Sequence, residues 1–273
     1  MIPGESIHDP WMHVDALPDP GRMVGMLEDR AGHPDQVEMR RQFWEWVGVR
    51  PGEAVLDVGC GTGVYAREAA MLVGAGGRVL GVDPSRVLIE AARRLARGRG
   101  APSHLAFQVA EGVALPFPAE RWDLVLAATI FTHLRGQLDV MQEMARVARR
   151  GGRVAVFDQD LETFVVNHSN RDQTRRFMNL HCDGRADGWS GRRILGLMRQ
   201  AGLGGVRCLP LAWADPDYGP YLRYSLQGRA AFAVERGAAT EAEAKAWLAE
   251  LEDRARDGTF FGGLTYYGFV GIK

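Results

Sequence analysis

The stretch VLDVGCGTGVYA (residues 55–66) carries Asp57 near the end of an apolar run and then sets Gly59, Gly61 and Gly63 at alternate positions. A strand that runs into D-x-G-x-G-x-G and on into a helix uses glycine for a tight turn and for close approach of a ligand to the backbone. Two more acids close later apolar runs: Asp83, followed by Pro84 and Ser85, and Glu111, followed by Gly112. A carboxylate at the end of the second strand can accept both hydrogen bonds of a ribose diol. Glycines and acids together therefore read as a crevice for a nucleoside-bearing ligand. The dinucleotide pattern G-x-G-x-x-G expects Gly or Ala where this chain has Val64, and no Gly-Lys-Ser/Thr follows to make a phosphate loop.

His133 lies just past the fourth apolar run, and Asp158 and Asp160 just past the fifth. Histidine exchanges protons near neutral pH, and a hydroxyl or ammonium that reacts as a nucleophile needs a base within hydrogen-bond reach. His133 is the candidate base or else only a helix start. Asp158 or Asp160 is its candidate partner, or else an acceptor for backbone amides and Arg side chains. His168, His181 and Asp183 match no metal-ligand spacing, and no metal is expected. Trp189, Trp213, Tyr218, Tyr221, Tyr224, Phe260, Phe261, Tyr266 and Tyr267 crowd the second half. Most belong to a core, with room for an aromatic-lined chamber that suits a hydrophobic or aromatic acceptor.

The elements that must hold these residues alternate. Strands are expected at 54–58, 78–82, 105–109, 122–128 and 153–157, with helices at 65–73, after Ser85, and at 136–149. This β-α-β-α rhythm predicts a Rossmann-like, doubly wound, mostly parallel sheet of seven strands, the last antiparallel. Before it, residues 1–35 read as an irregular arm, and Asp35 with Glu38 as a capping pair for a helix bearing Met39, Phe43, Trp46 and Val47. After it, Ser190 opens a helix that stops at Gly202, strands follow at 206–214 and 266–272, and Thr240 with Glu243 forms a capping box. Residues 159–188 and 215–239 fit no sheet element and read as insertions over the carboxyl edge. One structural domain is expected: an arm and covering helix (1–50), a core (51–160), and the remaining strands with substrate-covering insertions (161–273).

In VLDVGCGTG, GVDPS, EGVALPFPAERWDLV, THL and EMARVARRGGRVAVFDQD, in that order and spacing, the sequence resembles the class I S-adenosylmethionine-dependent methyltransferases. Within them it is similar to the ubiquinone/menaquinone-methyltransferase-like branch, strongly over residues 35–160 and more loosely beyond. The resemblance implies S-adenosylmethionine as cofactor, S-adenosylhomocysteine as product, and transfer of a methyl group to O, N or C of a small molecule. It places Asp57, Gly59, Cys60, Gly61 and Gly63 around the methionine part, Cys60 as a small filler. Asp83, with Pro84, takes the ribose. Glu111, beside Gly112, stands where the family more often has Asp against the adenine amine, and Ala128 or Thr129 supplies backbone contacts. His133 with Asp158 or Asp160 resembles the base and partner of some O-methyltransferases of this fold. A non-methylating cyclase or cofactor-binding protein on the same scaffold is the alternative, and a nicotinamide-dependent oxidoreductase a second.

The chain's 273 residues are 46% hydrophobic and 25% charged, an ordinary globular composition that supports one sizeable core. With a formal net charge of −1, no global basic field favours nucleic acid or anionic membrane, and the Asn/Asp-Pro-Pro-aromatic motif of amino-directed nucleic-acid enzymes is missing after residue 126. No apolar stretch approaches the ~18 residues that span a bilayer, the N-terminus lacks a signal-peptide core, and three cysteines without a C-x-x-C pair fit a reducing compartment. A cytoplasmic protein with a small-molecule acceptor is expected, its oligomeric state left open.

Overall fold

Strands that are apolar on both faces must be covered on both faces, and that requirement sets the architecture. The computed structural model describes residues 9–273. Helices α1 (Gly21–Gly32) and α2 (Pro34–Val47) precede β1 (Ala54–Val58), every residue of which is buried. Then come α3 (Val64–Val73), β2 (Arg78–Asp83), α4 (Arg86–Gly98), β3 (Leu105–Val109), β4 (Trp122–Ala128), α5 (Gln137–Val147) and β5 (Ala148–Gln159). The later half holds β6 (Val165–Val166), α6 (Arg171–Asp183), α7 (Ser190–Gln200), β7 (Gly204–Asp215), α8 (Pro220–Glu235), α9 (Glu241–Arg256) and β8 (Gly262–Ile272).

The sheet runs β3-β2-β1-β4-β5-β8, with β7 on the far side of β8. β1 through β5 pair in parallel, and β8 pairs antiparallel with β5, β6 and β7. The expected seven-stranded, mostly parallel sheet with an antiparallel last strand is therefore present. Val165–Val166, inside a segment read as outside the sheet, adds a two-residue strand against Gly262–Gly263. Strand order reverses between β1 and β4, which opens a crevice at their carboxyl ends.

Two expectations about the N-terminal region are corrected, and the expected C-terminal helical lid insertions are present. The described part of the N-terminal arm is helical: Asp9 caps a 3₁₀ helix at Pro10–Ala16, and α1 follows. Pro10 sits in the first turn of the one and Pro20 caps the other, while Asp9 and Asp19 accept from amides at their starts. The next helix starts at Pro34 after His33, so Asp35 sits in its first turn, and Glu38 pairs with Arg41 and Gln42. The segments 159–188 and 215–239 contain α6 and α8, which pack on each other; α8 also packs on α9 and reaches α1. The Thr240–Glu243 capping box is formed.

Ion pairs tie the covering helices to α3. Glu28 of α1 accepts two hydrogen bonds from Arg67 of α3 (3.0 and 3.1 Å). Arg40 of α2 meets Glu68 of α3 at 2.8 Å, and Trp44 Nε1 donates to the same carboxylate at 2.8 Å. The result is a cavity of about 620 Å³ over the β1–β4 crevice, roofed by α1 and α8.

Candidate functional site

The glycine loop between β1 and α3 forms the cavity floor. Gly59 and Gly63 hold φ of +70° and +80°, where L side chains are strained. A Cβ on Gly59 would lie 2.6 Å from Ile130 Cγ2, and one on Gly63 would lie 2.5 Å from Phe107 Cε1. The protein's own side chains thus fill the space that the sequence pattern reserves for a ligand at these two positions. Gly63 does not line the cavity; Gly59, Cys60 and Gly61 do. Cys60 is buried, and burial raises its thiol pKa, which makes it an inert filler.

Three acids face this floor. Asp83 at the end of β2 accepts from the Gly61 amide (2.9 Å) and the Ser85 amide (2.9 Å), so it fixes both the glycine loop and the start of α4. Burial pushes its carboxyl up to about 6 despite these donors. Asp57 is 1% exposed, and its Oδ2 has no partner. Burial, reinforced by the Asp83 charge, raises Asp57 to about 7. Glu111 lines the same end with Pro84, Gly112, Ala128 and Thr129. Thr129 is held at φ +55°, an unusual angle for a β-branched residue, and its Oγ1 accepts from Arg30 Nη2 at 3.1 Å.

His133, in a short 3₁₀ turn after β4, lines the cavity, but its partner is neither acid expected from the sequence. Its Nδ1 lies 2.6 Å from Oδ2 of Asp9, whose side chain is fully buried. Hydrogen bonding and charge from His133, with help from Arg185 at 3.2 Å, hold the Asp9 carboxyl below its ordinary value against the opposing effect of burial. Asp158 and Asp160 are removed from the cavity wall. Asp158 is buried and accepts from the amides of Phe131 (2.7 Å) and Gln159 (2.8 Å) and from Thr132 Oγ1 (3.1 Å), so it shapes the turn that carries His133. Asp160 caps the turn at Leu161–Thr163 and is clamped by Arg192.

The far end of the cavity is basic. Arg30 of α1, Arg185 after α6 and Arg229 of α8 line it with His181, Gln159, Phe164, Tyr221 and Leu264. Burial, followed by the neighbouring arginine charges of Arg229 and Arg185, drives His181 well below the usual histidine range, so it is neutral. Of the aromatics anticipated as a chamber, Tyr221 and Tyr224 line the cavity, whereas Trp213, Tyr218, Phe260 and Tyr266 are core. His168 lies elsewhere, stacked on Trp247. Sequence reading missed Asp9, Arg185 and Arg229. Arg229 had a signal: it falls on the same helical stripe as Leu222, Leu226, Ala230 and Ala233, where an apolar residue is expected.

Residues 55–152 match the family described as a methyltransferase domain. Methyltransferase GfsG of Streptomyces halstedii is 36% identical over 162 residues, which cover 57% of this chain and 55% of that protein. A 2-phytyl-1,4-naphtoquinone methyltransferase of Trichormus variabilis is 32% identical over 142 residues, 51% of this chain and 58% of that one. The chain spans a little over half the length of these curated relatives. Among solved structures, Haemonchus contortus phospholethanolamine N-methyltransferase 2, in complex with phosphomonomethylethanolamine and S-adenosylhomocysteine, superposes with a TM-score of 0.61. At 15% identity, over 99% of this chain and 61% of that one, the likeness is one of fold.

Proposed function

Because this chain carries a class I S-adenosylmethionine-dependent methyltransferase domain, we propose that it transfers a methyl group from S-adenosylmethionine to a small-molecule acceptor held at the basic end of the cavity. The observation that carries this reading is the Asp57 carboxylate, buried at the cavity floor with one oxygen unpartnered. A buried acid with an orphan oxygen calls for a cation or a strong donor, and the cofactor offers an ammonium, a ribose diol and an adenine amine. The residues fit them in that order. Asp57 and the Gly59–Gly61 segment would hold the methionine end, Asp83 beside Pro84 the ribose, and Glu111 beside Gly112 the adenine. The backbone of Ala128 and Thr129 would close over the methionine end.

When bound, the cofactor supplies a methyl group on a positively charged sulfur, open to direct displacement. The chain's own part is alignment in a dry site. α1 and α8 cover the cavity from above, and Phe164, Tyr221 and Leu264 give the acceptor apolar walls. His133 is the base. With Nδ1 bound to Asp9, its Nε2 has no partner among the described residues and can take the proton of a hydroxyl or ammonium, while Asp9 fixes the ring and steadies the resulting imidazolium. Asp9 thus holds the positioning role that the sequence assigned to Asp158 or Asp160.

Calorimetry with S-adenosylmethionine and with NADH tests the cofactor assignment, and micromolar binding of NADH alone overturns it. Asp83→Ala should weaken S-adenosylmethionine at least ten-fold, since each charge-assisted hydrogen bond lost is worth about 1.5–3 kcal/mol. Unchanged affinity would remove Asp83 from the site. Release of S-adenosylhomocysteine in the presence of acceptors separates methyl transfer from mere cofactor binding.

A further inference from the structure

The basic end holds positive charge that neither the fold nor methyl transfer explains. Arg229 is 3% exposed in the middle of α8, on the stripe that packs inward. Its Nη1 donates to Ser225 O at 3.0 Å and to Ser225 Oγ, its guanidinium lies 3.9 Å from the centroid of Phe164, and its Nε has no partner. No carboxylate pairs with it among the described residues. Arg30 is better served, since Nη2 reaches Thr129 Oγ1 and Tyr221 lies against it, but it too meets no acid among the described residues. Arg185 does meet Asp9, but that carboxylate is already shared with His133.

Three guanidiniums therefore line one end of a cavity with a single carboxylate among them, and His181 between them is neutral. Burial drives the Arg229 guanidinium down to about 9, and the charge of Arg185 pushes it the same way against the helpful Tyr221. A buried charge without a counter-ion is costly, and among the described residues no carboxylate pairs with Arg30 or Arg229.

We propose that the acceptor is a small molecule bearing a carboxylate, seated on Arg229 with Arg185 and Arg30 beside it and its apolar or aromatic body against Phe164 and Leu264. The word acceptor rests on the methyltransferase reading; the anion site does not. A planar carboxylate matches the guanidinium fork in two parallel hydrogen bonds. A phosphate can use the same fork, but Arg229 sits in the middle of α8, without the helix-start amides that commonly complete a phosphate site.

The test is calorimetry with benzoate, 4-hydroxybenzoate and octanoate against the corresponding amides, on protein with and without S-adenosylhomocysteine. At least one carboxylate should bind ten-fold or more tightly than its amide. Arg229→Gln should abolish that preference while S-adenosylhomocysteine affinity stays within three-fold. Arg229→Met, which removes an unpaired buried charge, should melt at a higher temperature than the parent in the ligand-free state, and carboxylates should raise the melting temperature of the parent alone. Amides that bind as well as carboxylates, no carboxylate binding at millimolar concentration, or an unaltered preference in Arg229→Gln would each overturn the proposal. Tighter binding of phenyl phosphate than of benzoate would overturn the carboxylate in favour of a dianion. Failure of S-adenosylhomocysteine to bind would strike the cofactor assignment and leave the anion measurement standing.

Discussion

At one end of the cavity, Asp57, Asp83 and Glu111 gather around a glycine loop; at the other stand Arg30, Arg185 and Arg229, of which only Arg185 meets a carboxylate among the described residues. Each end concentrates like charge, with Asp57 and Asp83 buried at one and Arg229 at the other, which weakens the ligand-free fold and prepares it for a ligand of opposite sign. The ends also differ in how they are built. The acids sit at the tips of neighbouring parallel strands, where the fold itself delivers them. The arginines come from α1, the turn after α6, and α8, and meet only because those elements close over the sheet.

Between the two ends stands His133, and its removal should have the largest effect. His133→Ala is expected to lower turnover by roughly 10²–10⁴ if the acceptor presents a hydroxyl or ammonium. S-adenosylhomocysteine affinity should stay within about three-fold, measured by calorimetry on the same preparation. Equal turnover per folded molecule would take His133 out of the mechanism and point to a carbon acceptor or an already neutral amine.

A smaller effect isolates the acidic end by pH alone. Burial holds Asp57 at about 7 and Asp83 at about 6, both above the ordinary carboxylate value near 4. The folded protein keeps protons that the unfolded chain releases, so stability of the ligand-free protein should fall as pH rises from about 4 to 7 and level off above. A cationic ligand favours the ionised pair, so cofactor affinity should climb through the upper part of that window. Thermal melts and calorimetry at pH 5.5, 6.5 and 7.5 read both trends. A melting temperature that rises across the window in ligand-free protein would contradict the buried-acid account.

The smallest effect is expected at Asp160, which the sequence offered as a catalytic partner. Since it caps a turn and binds Arg192 away from the cavity, Asp160→Asn should cost about 1 kcal/mol of stability. Turnover per folded molecule should be unchanged, and a loss beyond ten-fold would return Asp160 to the active site.

Legibility in the sequence follows the same division. β1 and β4 could be read directly because continuous burial leaves a continuous apolar run, and Asp57, Gly59 and Asp83 because the loop that holds them is one βαβ unit. The helical arm was hidden by the prolines and acids that cap its turns. Asp9 could be recognised as a cap before Pro10, yet nothing local says that it faces His133, 124 positions away. Asp158 sits at the expected strand end, but it accepts mainly from Phe131 and Thr132 in the turn after β4, and no spacing distinguishes that from a carboxylate aimed at a ligand. Arg229 is an isolated charge among small and apolar neighbours and reads as a solvent-facing position until its apolar stripe is traced.

The Asp9–His133 contact carries a consequence for how the molecule assembles. Gly61 and Asp83 are separated by 22 residues, His133 and Asp9 by 124, and Arg185 and Asp9 by 176. Closing a longer loop costs more chain entropy before any contact repays it, and non-local pairings form late. The floor of the cavity is therefore the early-folding half and the dyad the last part to close. A chain caught part-way would have the glycine-loop floor formed while the His133 ring still swings free, so the cavity is completed only after the first and the middle thirds of the chain have met.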